Sequence, residues 1–268
     1  MHPEELGERE AFRDFYLAAP EDMGFVVEEI GGAVCLALPA LPGSGLFNRV
    51  LGLGLAQPAT EDGLERIAGF YERLATEWCV ALAPEAKPTK IATWLERRGL
   101  TPGHGWAKFT RGVADPPAAR TELRVELVGV DGADAFADAF IRGYGLQAGF
   151  HDCLAALPER PGWRCFVAFD GAEPAATGAL HVTGAVGWLG MAGTVPEYRR
   201  RGAQGAILAA RIEEAATAGC QTVVTETGEL LEGRPSGSYR NIVRAGFEPA
   251  YVRPNYLTSS EADTSGTA

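Results

Sequence analysis

In PEYRRRGAQGAILAARIEEA, residues 196–215, three consecutive arginines and two glycines run straight into a helical pattern. Arginine brings a planar fork of charged N–H donors that matches an oxyanion. The first amides of a helix have no intrahelical partner and carry the positive end of its dipole. Glycine at 202 and 205 admits positive φ and lets a ligand come close to the backbone. Types and spacing together describe an anion cradle, best suited to a phosphate or pyrophosphate. Its donors are the backbone of Gly202, Ala203, Gln204, Gly205 and Ala206, with flexible charge from Arg200 and Arg201. The competing reading is a solvated basic loop. Other phosphate loops fit worse: there is no G-x-x-x-x-G-K-[ST], and no G-x-G-x-x-G opens a helix after a first strand.

Other reactive side chains are less organised. Glu226 closes the run VVTE, where it could accept an amine proton, directly or through water, or bind a cationic substrate. The plain alternative is a solvated strand-end glutamate. Glu229 and Glu232 are weaker, because GELLEGRPSG reads as a flexible loop. His151-Asp152 and His181 invite a dyad reading, but no Ser or Cys nucleophile stands at a recognisable elbow, so structural or surface roles are expected. Five cysteines are scattered and never spaced C-x-x-C, so neither a zinc site nor a disulfide framework is expected. Cys35, Cys79, Cys165 and Cys220 lie in or beside apolar stretches, as small core residues do.

The scaffold that must position the cradle is patterned on both sides of a break, GVADPPAAR, residues 112–120. After it, TELRVELV reads as a strand and GADAFADAFIRGYG as a helix carrying Phe136, Ala137, Phe140, Ile141 and Tyr144 at helical spacing. WRCFVAFDGAEPAATGALHV is a hairpin around Asp170-Gly171, and AVGWLGMAGTV a strand that feeds the basic loop. The following helix turns Ile207, Leu208, Ile212 and Ala215 to one side. QTVVTE is a short strand. SGSYRNIVRAGF is a helix capped by Ser236 and closed by Gly246. FEPAYVRPNYL is a last strand whose prolines suit an edge. The tail from Ser259, residues 259–268, is small, polar and expected to be disordered.

With Arg199, Gly202 and the helix behind them, the basic loop resembles the [RQ]-x-x-G-x-[GA] motif of the GCN5-related N-acetyltransferases, with Gln204 in the last small-residue slot. The resemblance covers about residues 121–258 in element order and includes the Arg-Ala-Gly-Phe that ends the last helix. It implies an α/β (α+β) fold: a mixed, mostly antiparallel sheet flanked by helices, with the cradle holding the pyrophosphate of acetyl-coenzyme A as cosubstrate. It implies that backbone at Gly193, Thr194 and Val195 polarises the thioester carbonyl, and that Glu226 stands where the sheet splays around the acetyl group. The stretch GYGLQAGFHD falls where the family builds its acceptor pocket. The family's usual tyrosine, which protonates the leaving thiolate, is replaced by Ile242. Tyr239, Ser238 or Tyr256 could take that role, and Asn241 could contact the cofactor or cap a carbonyl.

The first half repeats part of this order. LFNRVLGLGLA reads as a strand, EDGLERIAGFYERLATEW as a helix carrying Leu64, Ile67, Tyr71, Leu74 and Trp78, WCVALAP as a strand, KIATWLERRGL as a helix and GWAKFTR as a strand. Residues 97–102, RRGLTP, echo residues 244–249, RAGFEP. Its connector, AQPATEDG, has no basic glycine cradle, and Glu61 and Asp62 would repel a pyrophosphate. The expected organisation is tandem: a degenerate, cofactor-free repeat at 1–113, a linker at 114–120, an acetyltransferase domain at 121–258. The expected function is acetyl transfer to the amine of a small molecule or peptide by direct attack in a ternary complex. A catalytically silent acyl-coenzyme A sensor is the alternative. A net charge of −11 argues against nonspecific nucleic-acid binding. No apolar run is long enough to span a bilayer, so no membrane partner is expected. The acidic start without a signal-peptide pattern points to the cytoplasm. No metal is expected, and a homodimer is compatible with this reading.

Overall fold

The computed structural model describes residues 1–231 and 236–258. Glu232 and the tail from Ser259 lie outside the described residues. The first half builds α1 (Pro3–Ala18), β1 (Val26–Ile30), β2 (Ala33–Ala37), β3 (Arg49–Leu51), α2 (Glu61–Arg73), β4 (Cys79–Ala81), α3 (Ile91–Arg97) and β5 (Thr101–Gly112). The second half builds β6 (Arg124–Val128), α4 (Ala133–Tyr144), α5 (His151–Ala155), β7 (Trp163–Asp170), β8 (Glu173–Thr183) and β9 (Val186–Thr194). It continues with α6 (Ala203–Thr217), β10 (Thr222–Gly228), α7 (Gly237–Arg244) and β11 (Glu248–Leu257). All the strands join one mixed sheet in the order β1-β2-β3-β4-β11-β5-β10-β9-β8-β7-β6. Only β3–β4 and β9–β10 pair in parallel.

The series β3-α2-β4-α3-β5 has the same order as β9-α6-β10-α7-β11, as the repeated Arg-x-Gly leads one to expect. Gly99 and Gly246 end their helices with φ of +85° and +80°, a left-handed conformation that glycine adopts without steric cost. The final strands are exchanged. β5, from the first half, lies between β10 and β11, and β11, from the second, lies between β4 and β5. This corrects the edge placement of FEPAYVRPNYL. Its prolines are accommodated because the β11–β5 register slips at two points, between Pro249 and Tyr251 and between Arg253 and Asn255, and a bulge is where an internal strand tolerates proline.

Alternation sorts the side chains to two faces. Val34, Leu36, Val186, Trp188 and Val224 join Ala11 and Phe15 of α1 and Phe136 and Phe140 of α4 in one core. On the other face, Cys35, Val50 and Val80 pack against α2 and α3, and Leu189 and Val223 against Leu208 and Ile212 of α6 and Ile242 of α7. The apolar stripes of α2 and α6 fall where their 3.6-residue spacing puts them. The strand expected over LFNRVLGLGLA is confined to Arg49–Leu51, because turns at Gly52 and Gly54, both with positive φ, end it. The hairpin β1–β2 and the helix α1 are not anticipated by apolar periodicity. α1 buries Glu4, Glu5 and Glu8, so the pattern that normally betrays a helix face is carried there by carboxylates.

Candidate functional site

The strand β9 and its neighbour β10 pair only from Val186↔Thr222 to Trp188↔Val224. Beyond that point β9 runs on to Thr194 and β10 to Gly228 without pairing to each other, so the sheet opens. On its other side β9 bulges: Thr177 pairs with Gly193 and Ala179 with Gly190, leaving Met191 and Ala192 opposite Gly178 alone. A bulge takes residues out of the ladder and re-aims them, and Met191 has φ +48°.

Arg211 on α6 underlies this opening. It is 3% exposed, and its Nη1 donates to the carbonyls of Ala179 and Gly190 at 3.1 Å each. It has no carboxylate partner among the described residues, and burial depresses its pKa to about 10, still far above neutrality. A guanidinium balanced only by carbonyl dipoles leaves positive potential at the open end of β9.

The cradle loop follows β9. Gly202, at the N-cap of α6, has φ +81° and no side chain caps the helix, so its first-turn amides are available to an anion. A Cβ on Gly205 would meet nothing within 4 Å, whereas one on Gly202 would approach the Arg120 carbonyl oxygen to 2.2 Å. Gly205 therefore opens on free space as expected. Gly202 is needed for its φ and for the linker segment at Arg120 that crosses it, which corrects the expectation that its bare face serves a ligand. The arginines also divide. Arg201 forms an ion pair with Asp170, Nη1 to Oδ2 at 2.7 Å. Arg199 reaches the carbonyls of Thr194 and Gly143 at 3.4 Å. Arg200, with φ +66°, is exposed and has neither ion pair nor hydrogen bond among the described residues. It is the mobile charge of the loop.

Gln204 turns its side chain away from the cradle. Nε2 donates to the Gly193 carbonyl at 2.7 Å and to Thr194 Oγ1 at 3.0 Å, fixing the end of β9 to the helix. Of the three backbone positions expected to polarise a carbonyl, Val195 offers no free donor: its N–H bonds to the Ala175 carbonyl at 3.0 Å. Gly193 and Thr194 border the opening. Ala203 is buried and Ala206 donates its N–H to the Gly202 carbonyl at 3.1 Å, which leaves the amides of the half-buried Gln204 and Gly205 as the turn's candidate donors.

Glu226 is not a solvated strand end. Its side chain is 5% exposed and its Oε2 accepts from Lys108 Nζ at 2.8 Å, while Trp188 Nε1 donates to Oε1 at 2.9 Å. Lys108 also donates to Glu8 at 2.8 Å. Arg253 pairs with Glu5 and Glu8, and Arg49 with Glu8. Three carboxylates and three cations from α1, β3, β5, β10 and β11 thus compensate one another in the interior. Burial raises the Glu226 carboxyl above its usual range against the pull of Lys108, while Arg253, Lys108 and Arg49 together hold Glu8 well below its usual range despite burial. Sequence reading had no access to this cluster, whose partners lie 100 and 118 positions apart along the chain at Lys108.

The expected proton donors are dispersed. Ile242 is buried among Phe247, Leu208 and Ile212. Tyr239 packs its ring edge-on to Phe109 at 4.9 Å. Its neighbour Ser238 is the second residue of α7, and Asn241 is exposed on the same helix. Tyr256 is buried in the core of the first half, the consequence of the strand exchange, and leaves the list. His181 meets the Trp163 ring edge-on at 4.9 Å, and burial lowers its pKa to about 4. His151 is ringed by Asp134, Asp138 and Asp152 at the surface. His181 is an interior residue and His151 a surface one. GYGLQAGFHD does meet the first half: Phe150 stacks on Phe47 at 5.0 Å.

In the first half the corresponding helix start is already capped by its own chain. Thr60 caps α2 by accepting from Gly63 N at 3.0 Å. The segment after β4 lies across the preceding loop, Ala59 donating to the Lys87 carbonyl at 2.7 Å and Lys87 N to Gly54 O at 2.9 Å. All five cysteines are buried and unpaired, and no metal-binding group of His, Cys, Asp or Glu occurs among the described residues. No helix among them is long and apolar enough to cross a membrane.

Residues 134–231 match the family model described as acetyltransferase (GNAT) family. The fold is similar to that of a GCN5-related N-acetyltransferase from Kribbella flavida, at 18% identity and TM-score 0.64, covering 93% of both chains. It is similar to a GCN5-related N-acetyltransferase from Sphaerobacter thermophilus, at 18% identity and TM-score 0.62, covering 96% of this chain and 88% of that one. A tandem GNAT protein from the clavulanic acid biosynthesis pathway matches at 16% identity and TM-score 0.60, over 87% of this chain and 80% of its own. No curated protein matches in sequence. The match places a GNAT domain at residues 134–231, which contain the cradle, the bulge and the opened strand pair.

Proposed function

We propose that the protein transfers an acetyl group from acetyl-coenzyme A to an amine of a small molecule or peptide, by direct attack in a ternary complex. The observation that carries this reading is the uncapped N-terminus of α6 placed directly after a strand whose pairing has opened. The amides of Gln204 and Gly205 and the free guanidinium of Arg200 suit a pyrophosphate. Gly193 and Thr194 border the space that a thioester would occupy, with Arg211 supplying positive potential beneath it. Glu226 accepts from both Lys108 and Trp188, so in this reading it anchors β10 and the amine proton leaves through water. The second reading, an acyl-coenzyme A sensor, draws on Ile242, which is buried where the family's acid stands. Calorimetry with acetyl-coenzyme A tests both: no binding by the intact protein rejects them together. With binding in hand, thiol release against a panel of primary amines supports the enzyme, and its absence across the panel supports the sensor.

A further inference from the structure

Tyr144 ends α4, and Gly145 with φ +69° caps the helix behind it. Two contacts press this end of α4 onto the opened strand. A Cβ on Gly143 would lie 3.0 Å from the Thr194 amide nitrogen, and one on Gly193 would lie 3.0 and 3.1 Å from Cδ2 and Cε2 of the Tyr144 ring. Bare backbone on both sides is what allows the approach. Arg199 holds the same turn through the Gly143 carbonyl. The ring is stacked on Phe140 at 4.5 Å, yet the residue remains 40% exposed, so it is fixed without being sealed. Arg211 lies below the bulge, on the Gly190 carbonyl, and Glu226 stands on β10 across the opening; the two charges act on the Tyr144 hydroxyl in opposite senses. Ile242, by contrast, is buried in the core under α7, with the half-buried Tyr239 packed against that core.

We infer that Tyr144 is the proton donor to the departing thiolate, a role that rests on the acetyl-transfer reading above. The amine nitrogen attacks the thioester carbon, the carbon–sulfur bond breaks, and the sulfur takes the hydroxyl proton of Tyr144. The resulting phenolate lies in the field of Arg211 and regains its proton through water from the ammonium formed on attack. The balance is one amine and one thioester giving one amide and one thiol. The protein enclosing the phenol raises its pKa, opposed by Arg211 and reinforced by Glu226, so the group is protonated at neutral pH.

The test is Tyr144→Phe, which keeps the ring against Gly193 and Phe140 and removes only the hydroxyl. Thiol release from acetyl-coenzyme A should fall about 10²-fold or more, the usual scale of general-acid assistance, with acetyl-coenzyme A affinity by calorimetry within twofold of wild type. The solvent deuterium effect on kcat should be present in wild type and absent in the variant. With the acetyl thioester of an electron-poor thiophenol, whose thiolate departs unprotonated, wild type and variant should turn over alike. An unchanged rate, or equal deficits with both thioesters, overturns the assignment and leaves acetyl transfer standing. A wild-type protein that binds acetyl-coenzyme A but never releases thiol overturns both.

Discussion

At the scale of single residues, the arginines of the cradle are distinguished by their existing partners rather than by their position. Arg200→Ala should weaken acetyl-coenzyme A binding by about 1–2 kcal/mol, one charge-assisted hydrogen bond. Arg201→Ala should cost less, because its guanidinium is already bound to Asp170; titration calorimetry of the two variants reads the difference, and equal small effects would favour a solvated loop. Glu226→Gln should behave as a stability variant. It removes one anion from a compensated interior cluster and leaves Lys108 with Glu8 alone, a loss of about 3 kcal/mol, the lower end for breaking a buried pair, seen as a fall in the urea midpoint with acetyl-coenzyme A affinity unchanged. The cradle was legible because a helix N-terminus, two glycines and a charge are local facts. Lys108 and Arg253 were not, since nothing local tells a strand lysine that a carboxylate of α1 awaits it. His181 gives the pH dependence. Its folded pKa of about 4 lies below the model-peptide value near 6.5, so folding favours the neutral ring. Stability is therefore full above about pH 6.5 and declines as pH falls toward 4, by up to about 3 kcal/mol. His181→Gln should flatten that part of a plot of unfolding free energy against pH.

At the scale of elements, α1 shows how a helix can hide from pattern reading. Its inward face combines Glu4, Glu5 and Glu8 with Gly7, Ala11 and Phe15, so it fails the apolar template while being packed across both halves. Ser236, Gly246, Leu208 and Ile212, by contrast, fall where capping and periodicity put them, because α6 and α7 bury ordinary apolar residues. Gly7 lets α1 lie close on the sheet: a Cβ there would stand 2.9 Å from Val224 Cγ2 and 3.2 Å from Trp188 Cβ. Gly7→Val should push α1 outward and cost about 1–3 kcal/mol, the usual penalty of overpacking. It should also shift Glu8 away from Lys108, so the Trp188 indole, bonded to the Glu226 paired with that lysine, should report the change in fluorescence. A variant with wild-type stability and emission would show that α1 is held elsewhere.

At the scale of the whole molecule, the exchange of β5 and β11 decides what a domain boundary can mean. The break at residues 114–120 carries neither helix nor strand, and in sequence it divides two similar series of elements. In space the last strand of each series pairs with the other half: β5 with β10 along Ala107↔Thr227 to Gly112↔Thr222, and β11 with β4 at Tyr256↔Val80. The interior charges follow the same route, since Lys108 of the first half neutralises Glu226 of the second. A fragment of residues 121–258 alone would leave β10 with an open edge, β11 without a neighbour on either side, and the α1-facing side of Trp188 and Val224 uncovered. The ladder hydrogen bonds and apolar cover so lost weigh heavily against the 5–15 kcal/mol total stability of a domain. We therefore expect that fragment to be unfolded by circular dichroism and to bind no acetyl-coenzyme A. The intact chain should unfold in urea as a single transition with coincident tryptophan and circular dichroism midpoints. Cleavage inside 114–120 of the folded protein should be harmless, because the cut crosses no strand: the two pieces should co-elute in gel filtration and retain acetyl-coenzyme A affinity. Two separate transitions, or a folded 121–258 fragment with wild-type affinity, would mean that the exchanged strands contribute little and that the halves are independent after all.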